Sequence, residues 1–304
     1  MRHLPCERNF RSLDAPTTAS DVAVAAPDRY RSLSTRVGPT RHEARPKARL
    51  PPMPGAARGR GLSIRKMTLR RALLAACLAP LSIAVAFAAY VAWLGGVGGR
   101  ASICHGTVVN GHLEGGRRLP HAGDNYRAYS LLGFLLGRTF VHETVRETMR
   151  DAYQELSKSH PELRFVYAES GWPWGGRFAP HKSHANGTAV DFLVPVRTLD
   201  GQVSELPTWA FNQFGYAVEF DDTGRAGAHR IDFEAMGQHL LALDRAARAH
   251  GIGIRRVIFD VGLQPKLAAT PAGAQAMKRL QFNKQQAWVR HDEHYHVDFA
   301  VPCR

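Results

Sequence analysis

Several short motifs that identify common enzyme classes are missing from this sequence. It has no Gly-x-Ser-x-Gly turn of a serine hydrolase, no phosphate-binding P-loop and no Gly-rich dinucleotide fingerprint. His142-Glu143 resembles the start of the His-Glu-x-x-His zinc motif, but position 146 is Arg, so the second ligand is missing. We therefore expect none of these chemistries and interpret His142 and Glu143 as a pair on a helix surface.

Most of the chain also has little excess of positive charge. Residues 1–71 hold 16 of the 40 Lys and Arg residues but only 5 of the 26 Asp and Glu residues, and so carry +11 of the net charge of +14. The rest of the chain carries only +3, which argues against nucleic-acid binding. Residues 1–71 are rich in Pro and poor in large apolar side chains, which predicts a basic, disordered leader.

Charge is absent altogether from residues 72–94, a run longer than the roughly 20 residues that cross a bilayer. Several basic residues precede this run closely, whereas Arg100 alone follows it closely. Tyr90 and Trp93 lie at its far end, where aromatic side chains favour the membrane interface. By the positive-inside rule we predict a transmembrane anchor, with residues 101–304 on the exported side.

Two alternatives for this N-terminal part stay open. Residues 72–94 could be a cleaved signal, because the apolar run ends in small residues that resemble a cleavage site. Translation could also begin at Met67, since the basic residues after it and the apolar run have the layout of an export signal. Residues 95–100 are rich in Gly, which predicts a flexible linker.

Cysteine is scarce, with four residues in the whole chain. Cys6 falls in the predicted leader and Cys77 in the apolar run, which leaves Cys104 and Cys303 at the two ends of the exported part. An oxidising compartment favours a disulfide between these two residues. Two unpaired thiols are the alternative.

Residues 101–304 have the pattern of one α+β domain, in which a small, mainly antiparallel sheet has flanking helices and long loops. We predict one helix over about 140–157, begun by Thr139, and another over about 232–250, ended by Gly251. Four segments are predicted to be strands: Leu163–Ala168, Thr188–Val194, Ile254–Phe259 and Tyr295–Val301.

Two short segments rich in histidine carry the candidate chemistry. They are His181-Lys-Ser-His184-Ala-Asn-Gly187-Thr-Ala-Val-Asp191 and His291-Asp-Glu-His294-Tyr-His296-Val-Asp298. Because side chains alternate along a strand, His294 and His296 should share one face, while Glu293 and Tyr295 point to the other. Two imidazoles on one face can bind the same ion or the same substrate.

Gly187 permits a tight turn, so His184 and Asp191 can converge although they are separated in the sequence. A set of two histidines and one aspartate leaves the fourth position of tetrahedral Zn²⁺ open, as in catalytic zinc sites. For any single histidine the alternative is an ordinary surface or core residue, but the clustering of so many favours a metal site.

The spacing of these residues resembles that of the zinc peptidases grouped with lysostaphin, D-Ala-D-Ala peptidases and hedgehog. The shared positions are His184, Gly187, Asp191 and the run His291-x-x-His294-x-His296. Within that group the chain is most similar to the penicillin-insensitive murein endopeptidases, which have a His-x-Ser-His run like residues 181–184. The resemblance covers roughly residues 101–304. The leader and apolar run depart from the family, whose members are usually soluble periplasmic proteins.

The resemblance implies that His184, Asp191 and His296 bind a single Zn²⁺, that His294 is the general base, and that His291 orients the substrate or stabilises the transition state. It also implies a peptidoglycan D,D-endopeptidase that hydrolyses D-Ala–meso-diaminopimelate cross-links in the periplasm, at the inner membrane if the anchor is retained. The alternatives are a D,D- or L,D-carboxypeptidase acting on stem peptides and a non-catalytic, zinc-bearing module that binds peptidoglycan.

Substrate binding is assigned to Arg177 and His181. The guanidinium of Arg177 could clamp a substrate carboxylate or amide oxygen, and a solvated loop arginine is the alternative. Asp298 shares its strand face with two histidines and could orient one of them, or be an ordinary strand carboxylate. Trp172 and Trp174 could wall a cleft or belong to the core.

Overall fold

The computed structural model describes residues 61–96 and 99–304. Most of the predicted leader, residues 1–60, lies outside the described residues. Helix α1 (Gly61–Gly96) includes the charge-free run, and its segment Leu74–Leu94 is long and apolar enough to cross a membrane. This segment coincides with the predicted anchor or signal.

The strands of the rest of the described chain have two to six residues, and two of its helices have 17 residues each. The strands are β1 (Ile103–Gly106), β2 (Gly111–Glu114), β3 (Arg117–Arg118), β4 (Tyr126–Ala128), β5 (Phe140–Val141), β6 (Phe165–Tyr167), β7 (Ala189–Leu193), β8 (Val196–Thr198), β9 (Val203–Ser204), β10 (Arg225–Ala226), β11 (His229–Ile231), β12 (Ile254–Ile258) and β13 (His294–Phe299). The helices are α2 (Leu131–Leu135), α3 (Glu143–Ser159), α4 (Phe233–Ala249), α5 (Gln264–Ala268) and α6 (Pro271–Arg279), with a 3-10 helix at Ala210–Gly215.

The largest sheet has the strand order β12-β13-β7-β6-β4, and it is antiparallel except for the parallel pair β4 and β6. Three of the four predicted strand segments contain β6, β7 or β12 of this sheet, and the fourth, Tyr295–Val301, overlaps β13, which begins one residue earlier. Smaller antiparallel units are formed by β1 with β2, by β3 with β5, and by β10-β11-β8-β9. Small, mostly antiparallel sheets with flanking helices confirm the predicted α+β class.

The alternation of side chains along β13 separates the core from the candidate site. Tyr295 is fully buried toward helix α4, where a hydrogen bond of 2.6 Å joins its Oη to Nδ1 of His239. Its ring also stacks against Phe192 of β7. Since successive side chains point to opposite faces, His294 and His296 lie on the face away from α4. The aromatic core therefore supports the back of the strand that carries the histidines.

The predicted boundaries are confirmed for one helix and wrong for the other. Helix α4 starts after Asp232, whose carboxylate accepts a hydrogen bond from the backbone N–H of Ala235 (3.0 Å), and Gly251 follows its end with φ +71°. Thr139 does not begin helix α3. Residues 140–141 pair with β3 instead, because a long-range strand partner outcompetes the local helical pattern.

His142 is the residue that caps helix α3. Its Nδ1 accepts a hydrogen bond from the backbone N–H of Thr144 at 3.2 Å, and its own N–H donates to the carbonyl of Gly187 at 2.8 Å. His142 is buried, so its interpretation as a surface residue was wrong. The cap ties the start of α3 to the loop that follows His184.

The predicted disulfide is confirmed. Cys104 of β1 is bonded to Cys303 with an S–S distance of 2.10 Å, which joins the two ends of the domain. Two backbone hydrogen bonds of 2.9 Å reinforce the link, from Gly106 N–H to the carbonyl of Arg304 and from Arg304 N–H to the carbonyl of Cys104. The hairpin β1–β2 is therefore fixed to the C-terminus.

Candidate active site

The pairing of β13 with β7 positions the first two residues of the site. His296 is directly opposite Asp191 in the antiparallel register, and both side chains are almost completely buried. Nδ1 of His296 lies 2.8 Å from Oδ1 of Asp191. The distance follows from the register, because directly opposed residues of an antiparallel pair have their side chains close together on one face.

His184 approaches the same carboxylate oxygen from a tight turn. Its backbone is left-handed, with φ +71°, which is unusual for a residue other than glycine and is often seen at functional sites. Nδ1 of His184 lies 3.3 Å from the carbonyl of Ala189, so this nitrogen carries the proton. Nε2 lies 3.3 Å from Oδ1 of Asp191 but has no hydrogen-bond partner, although the residue is fully buried. The turn therefore presents a buried lone pair to the site.

The second carboxylate oxygen of Asp191 faces other groups. Tyr216 donates a hydrogen bond to Oδ2 at 3.0 Å, and Nδ1 of His181 and Nε2 of His294 lie 3.6 and 3.8 Å from it. Burial opposes the charge of Asp191, but the surrounding histidines, His184 first among them, hold its pKa well below the ordinary value. Asp191 is therefore an anion with both oxygens directed at nitrogen or hydroxyl groups.

His294 lies on the predicted face, but the prediction for Glu293 was wrong. Oε1 of Glu293 is 2.7 Å from Nδ1 of His294, and both residues line the same cavity. The reason is that β13 begins at His294, so Glu293 precedes the strand and does not follow its alternation. Burial lowers the pKa of His294, but the carboxylates of Asp191 and Glu293 more than offset this, and the net shift is upward.

His291 also reaches the site, through a second strained backbone. Its φ is +47°, and its Nδ1 lies 2.9 Å from the carbonyl of Val289, which leaves Nε2 available. The rings of His291 and His294 are 4.5 Å apart. Burial, helped by the nearby His294, lowers the pKa of His291 to about 4, so this imidazole is neutral at pH 7.

Asp298 contacts a histidine of the site, as the strand alternation suggested. Its Oδ1 lies 2.7 Å from Nε2 of His296, and its Oδ2 accepts a hydrogen bond of 2.7 Å from Arg256. Burial opposes a charge on His296, but Asp298 and Asp191 raise its pKa to about 10. The ring of His296 is thus held at both nitrogens, with Nδ1 toward Asp191.

A buried carboxylate that the sequence did not reveal holds His181. Oε2 of Glu169 lies 2.6 Å from Nε2 of His181, and Tyr129 donates to Oε1 at 2.7 Å. Arg138 binds both oxygens of Glu169. Burial would raise the pKa of Glu169, but Arg138 and His181 lower it to about 2. The acidic residue directly after the predicted strand Leu163–Ala168 was the only local signal for this network.

Most of these residues line one cavity of about 550 Å³, whereas His184 and Asp298 are buried and do not line it. Apart from the site residues already described, its walls include Lys182, Phe214 and Trp288. Arg177 is exposed and does not line this cavity, so its predicted role in substrate binding stays a prediction. Trp172 and Trp174 stack on each other outside the cavity, with ring centroids 6.2 Å apart.

Side chains that line this cavity, together with the buried His184, have the chemistry of a metal site. Donor atoms of His181, His184 and Asp191 lie within 4.8 Å of one another. His296 approaches the same carboxylate, and its ring centroid is 4.8 Å from that of His184. Imidazole and carboxylate are the usual ligands of a catalytic zinc ion, so these residues could hold one. The two predicted segments thus meet in space, with every predicted histidine present.

A comparison with known proteins agrees with this arrangement. No curated protein sequence is significantly similar to the chain. Residues 104–304, however, match the family described as penicillin-insensitive murein endopeptidase, and this match covers most of the chain and the whole cavity. The resemblance expected from the histidine motifs is therefore confirmed, and the chain belongs to the penicillin-insensitive murein endopeptidase family.

Proposed function

We propose that the protein is a zinc-dependent D,D-endopeptidase that hydrolyses the D-Ala–meso-diaminopimelate cross-links of peptidoglycan. The observation that carries this proposal is the buried Nε2 of His184, which has no hydrogen-bond partner and faces Oδ1 of Asp191. A buried polar atom without a partner costs about 1–3 kcal/mol, and a bound cation would remove that cost. Membership of a murein endopeptidase family supports peptidoglycan as the substrate.

We assign the zinc ligands as His184, Asp191 and His296. Nε2 of His184 and Nδ1 of His296 face the same oxygen of Asp191, and Asp298 engages the far nitrogen of His296. A carboxylate behind a ligating imidazole fixes its tautomer and orientation. His181 is the alternative third ligand, but its Nε2 already contacts Glu169.

Zinc at this position would supply Lewis-acid chemistry to the scissile carbonyl and the attacking water. Glu293 accepts a hydrogen bond from Nδ1–H of His294, which leaves the lone pair of Nε2 free. We propose that His294 takes a proton from water as general base and returns it to the leaving amine. His291 lies beside it with Nε2 available and would orient the substrate or stabilise the transition state.

The substrate would enter the cavity from the exported side. We propose that residues 101–304 are the peptidase domain, that residues 72–94 anchor it in the inner membrane, and that residues 95–100 connect the two. The apolar segment Leu74–Leu94 and the disulfide both support export to an oxidising compartment. His181 lies at the cavity wall and Arg177 is exposed, and we keep both as candidates for substrate binding.

The test uses the full chain in detergent, with zinc content and digestion of purified sacculi measured together. His184→Ala and His296→Ala should each lose one zinc per chain relative to the unaltered protein, and cleavage of cross-linked muropeptides should disappear. His181→Ala should keep that zinc. His121→Ala, which alters an exposed histidine outside the cavity, is the matched control and should change neither quantity.

Other outcomes would redirect the proposal. Normal cleavage by His184→Ala would exclude the proposed metal centre, and loss of zinc from His181→Ala but not from His296→Ala would replace the third ligand. Release of D-Ala from uncross-linked stems, without loss of cross-links, would indicate a carboxypeptidase. Bound zinc without any cleavage would indicate a module that binds peptidoglycan.

A further inference from the structure

A second group of metal-binding side chains lies on the hairpin β1–β2. Donor atoms of His105, His112 and Glu114 come within 4.8 Å of one another. None of the three lines the cavity of the candidate active site. We propose that these residues form a second metal site, specific for borderline transition metals such as Zn²⁺ and Cu²⁺, that stabilises this hairpin.

The strand register explains why the three side chains meet. His105 is directly opposite His112 in the antiparallel pair, and Glu114 is two residues further along β2, on the same face. The imidazole rings are stacked, with centroids 4.2 Å apart, and Nε2 of His105 lies 2.9 Å from Oε1 of Glu114. Opposed imidazoles with a carboxylate are a ligand set that suits zinc and copper rather than calcium or magnesium.

The other face of the hairpin keeps this site in place. Cys104 and Leu113, which alternate with the three donors, are buried, and Cys104 is bonded to Cys303. Leu113 also donates a backbone hydrogen bond of 2.9 Å to the carbonyl of Trp174. The backbone is therefore fixed before any ion binds. The side chains of His105 and Glu114 are 23% and 57% exposed, so an ion can enter directly from solvent and keep water in its open positions.

The same hairpin contacts the loop of the candidate active site. Ala185 is the residue after His184. Its backbone N–H donates a hydrogen bond of 2.9 Å to the carbonyl of Val108, which lies in the turn between β1 and β2. The side chain of Asn186 also donates to the carbonyl of Gly106 at 3.4 Å. An ion bound on the hairpin would therefore stabilise the hairpin that holds this loop, without contacting the cavity.

The experiment isolates the hairpin by removing the other site. Full-length His184→Ala protein in detergent, stripped of metal, is titrated with Zn²⁺ beside the double variants His184→Ala/His112→Asn and His184→Ala/His121→Asn. His184→Ala should bind one zinc more than the His112 double variant, and zinc should raise its melting temperature. The His121 double variant is the matched control, because it also removes an exposed imidazole, and it should behave like His184→Ala.

A spectroscopic readout identifies the ligands. Cu²⁺ bound to His184→Ala should give an electron paramagnetic resonance spectrum with two imidazole nitrogens, and His112→Asn in that background should remove this signal. Glu114→Gln should weaken zinc binding by at least about tenfold while the chain stays folded. Equal zinc binding and equal melting shifts with and without His112 would overturn the proposal, whatever the peptidase activity proves to be.

Discussion

Two clusters of histidine and carboxylate differ mainly in their access to water. At the candidate active site, His184 and Asp191 are almost completely buried, and Nε2 of His184 has no hydrogen-bond partner. On the hairpin, His105 and Glu114 are partly exposed and hydrogen-bonded to each other. A donor on the surface can turn to water at little cost, whereas a buried one needs a partner inside the protein.

From this difference we expect the buried cluster, and not the hairpin cluster, to depend on a cation. The buried cluster brings several imidazoles to one carboxylate in a strained backbone, with His184 and His291 both left-handed. Such an arrangement costs free energy and persists where the surrounding structure and a ligand compensate for it. The hairpin cluster is stable without an ion, so a metal there adds stability and is not required for folding.

The largest effect is expected from removing the covalent support of the hairpin. The bond between Cys104 and Cys303 closes a loop with a sequence separation of 199. In the chain-entropy account such a bond contributes about 5 kcal/mol. Cys104→Ser/Cys303→Ser should therefore lower the melting temperature by roughly 10–20 °C, measured by calorimetry. A reductant should lower it in the unaltered protein but leave the double variant unchanged.

Neither cysteine lines the cavity, so the double variant changes only the hairpin and its link to the C-terminus. Below its melting temperature the double variant should still cleave muropeptides. Loss of cleavage while the domain stays folded would mean that the hairpin positions the active-site residues, beyond its single backbone hydrogen bond with Ala185.

The second-largest effect is expected from neutralising a carboxylate of the buried cluster, and the same change on the hairpin is its counterpart. Asp191→Asn keeps the shape of the side chain but removes the charge that both His184 and His296 face. It should lower kcat/KM for cross-link hydrolysis by about a thousandfold, or about 4 kcal/mol of transition-state stabilisation, and release one zinc. Glu114→Gln is the counterpart on the hairpin and should leave kcat/KM within about twofold, because it lies outside the cavity. Equal losses in the two variants would mean that the hairpin carboxylate matters to hydrolysis as much as Asp191 does.

Sequence alone predicted the parts of the site that follow from local rules. The strand alternation brought His294 and His296 to one face, and the turn at Gly187 brought His184 to Asp191. Glu293 was misplaced because alternation holds only within a strand, and β13 begins one residue later.

The site residues that the sequence analysis missed lie in segments where neither strand alternation nor a glycine turn predicts the position of a side chain. Arg138 follows the short helix α2, and Tyr216 follows a 3-10 helix in which Gln213 and Phe214 are left-handed. Their positions depend on tertiary contacts with Glu169 and Asp191, which no spacing in the chain encodes. The same cause explains the error at Thr139, where pairing of β5 with β3 overrides the helical pattern.

A smaller effect is expected at Glu169. Burial raises the pKa of its carboxyl, but Arg138 and His181 more than offset this and lower it to about 2 from 4.5. A folded-state pKa below the unfolded value means that this carboxylate stabilises the fold fully above about pH 4.5 and loses that contribution as the pH falls toward 2. Glu169→Gln should reduce the free energy of unfolding by about 3 kcal/mol at pH 7.

Denaturant unfolding of both proteins across pH measures this dependence. The difference between the unaltered protein and Glu169→Gln should shrink as the pH is lowered from about 4.5 to 2, because a growing fraction of Glu169 is then protonated and neutral, like glutamine. A difference that stays constant over this range would mean that the charge of Glu169, held by Arg138 and His181, does not contribute to stability.

The smallest effect is expected at Arg177, an exposed cation that does not line the cavity, in contrast to the enclosed Arg138. An exposed charge interaction contributes less than about 1 kcal/mol, so Arg177→Ala should raise KM at most about fivefold and leave kcat unchanged. Arg138→Lys keeps the charge but loses the contact with both oxygens of Glu169, and it should cost more in stability. A loss of about a hundredfold in kcat for Arg177→Ala would instead mean that this loop closes over the substrate and that the cavity is only part of the working site.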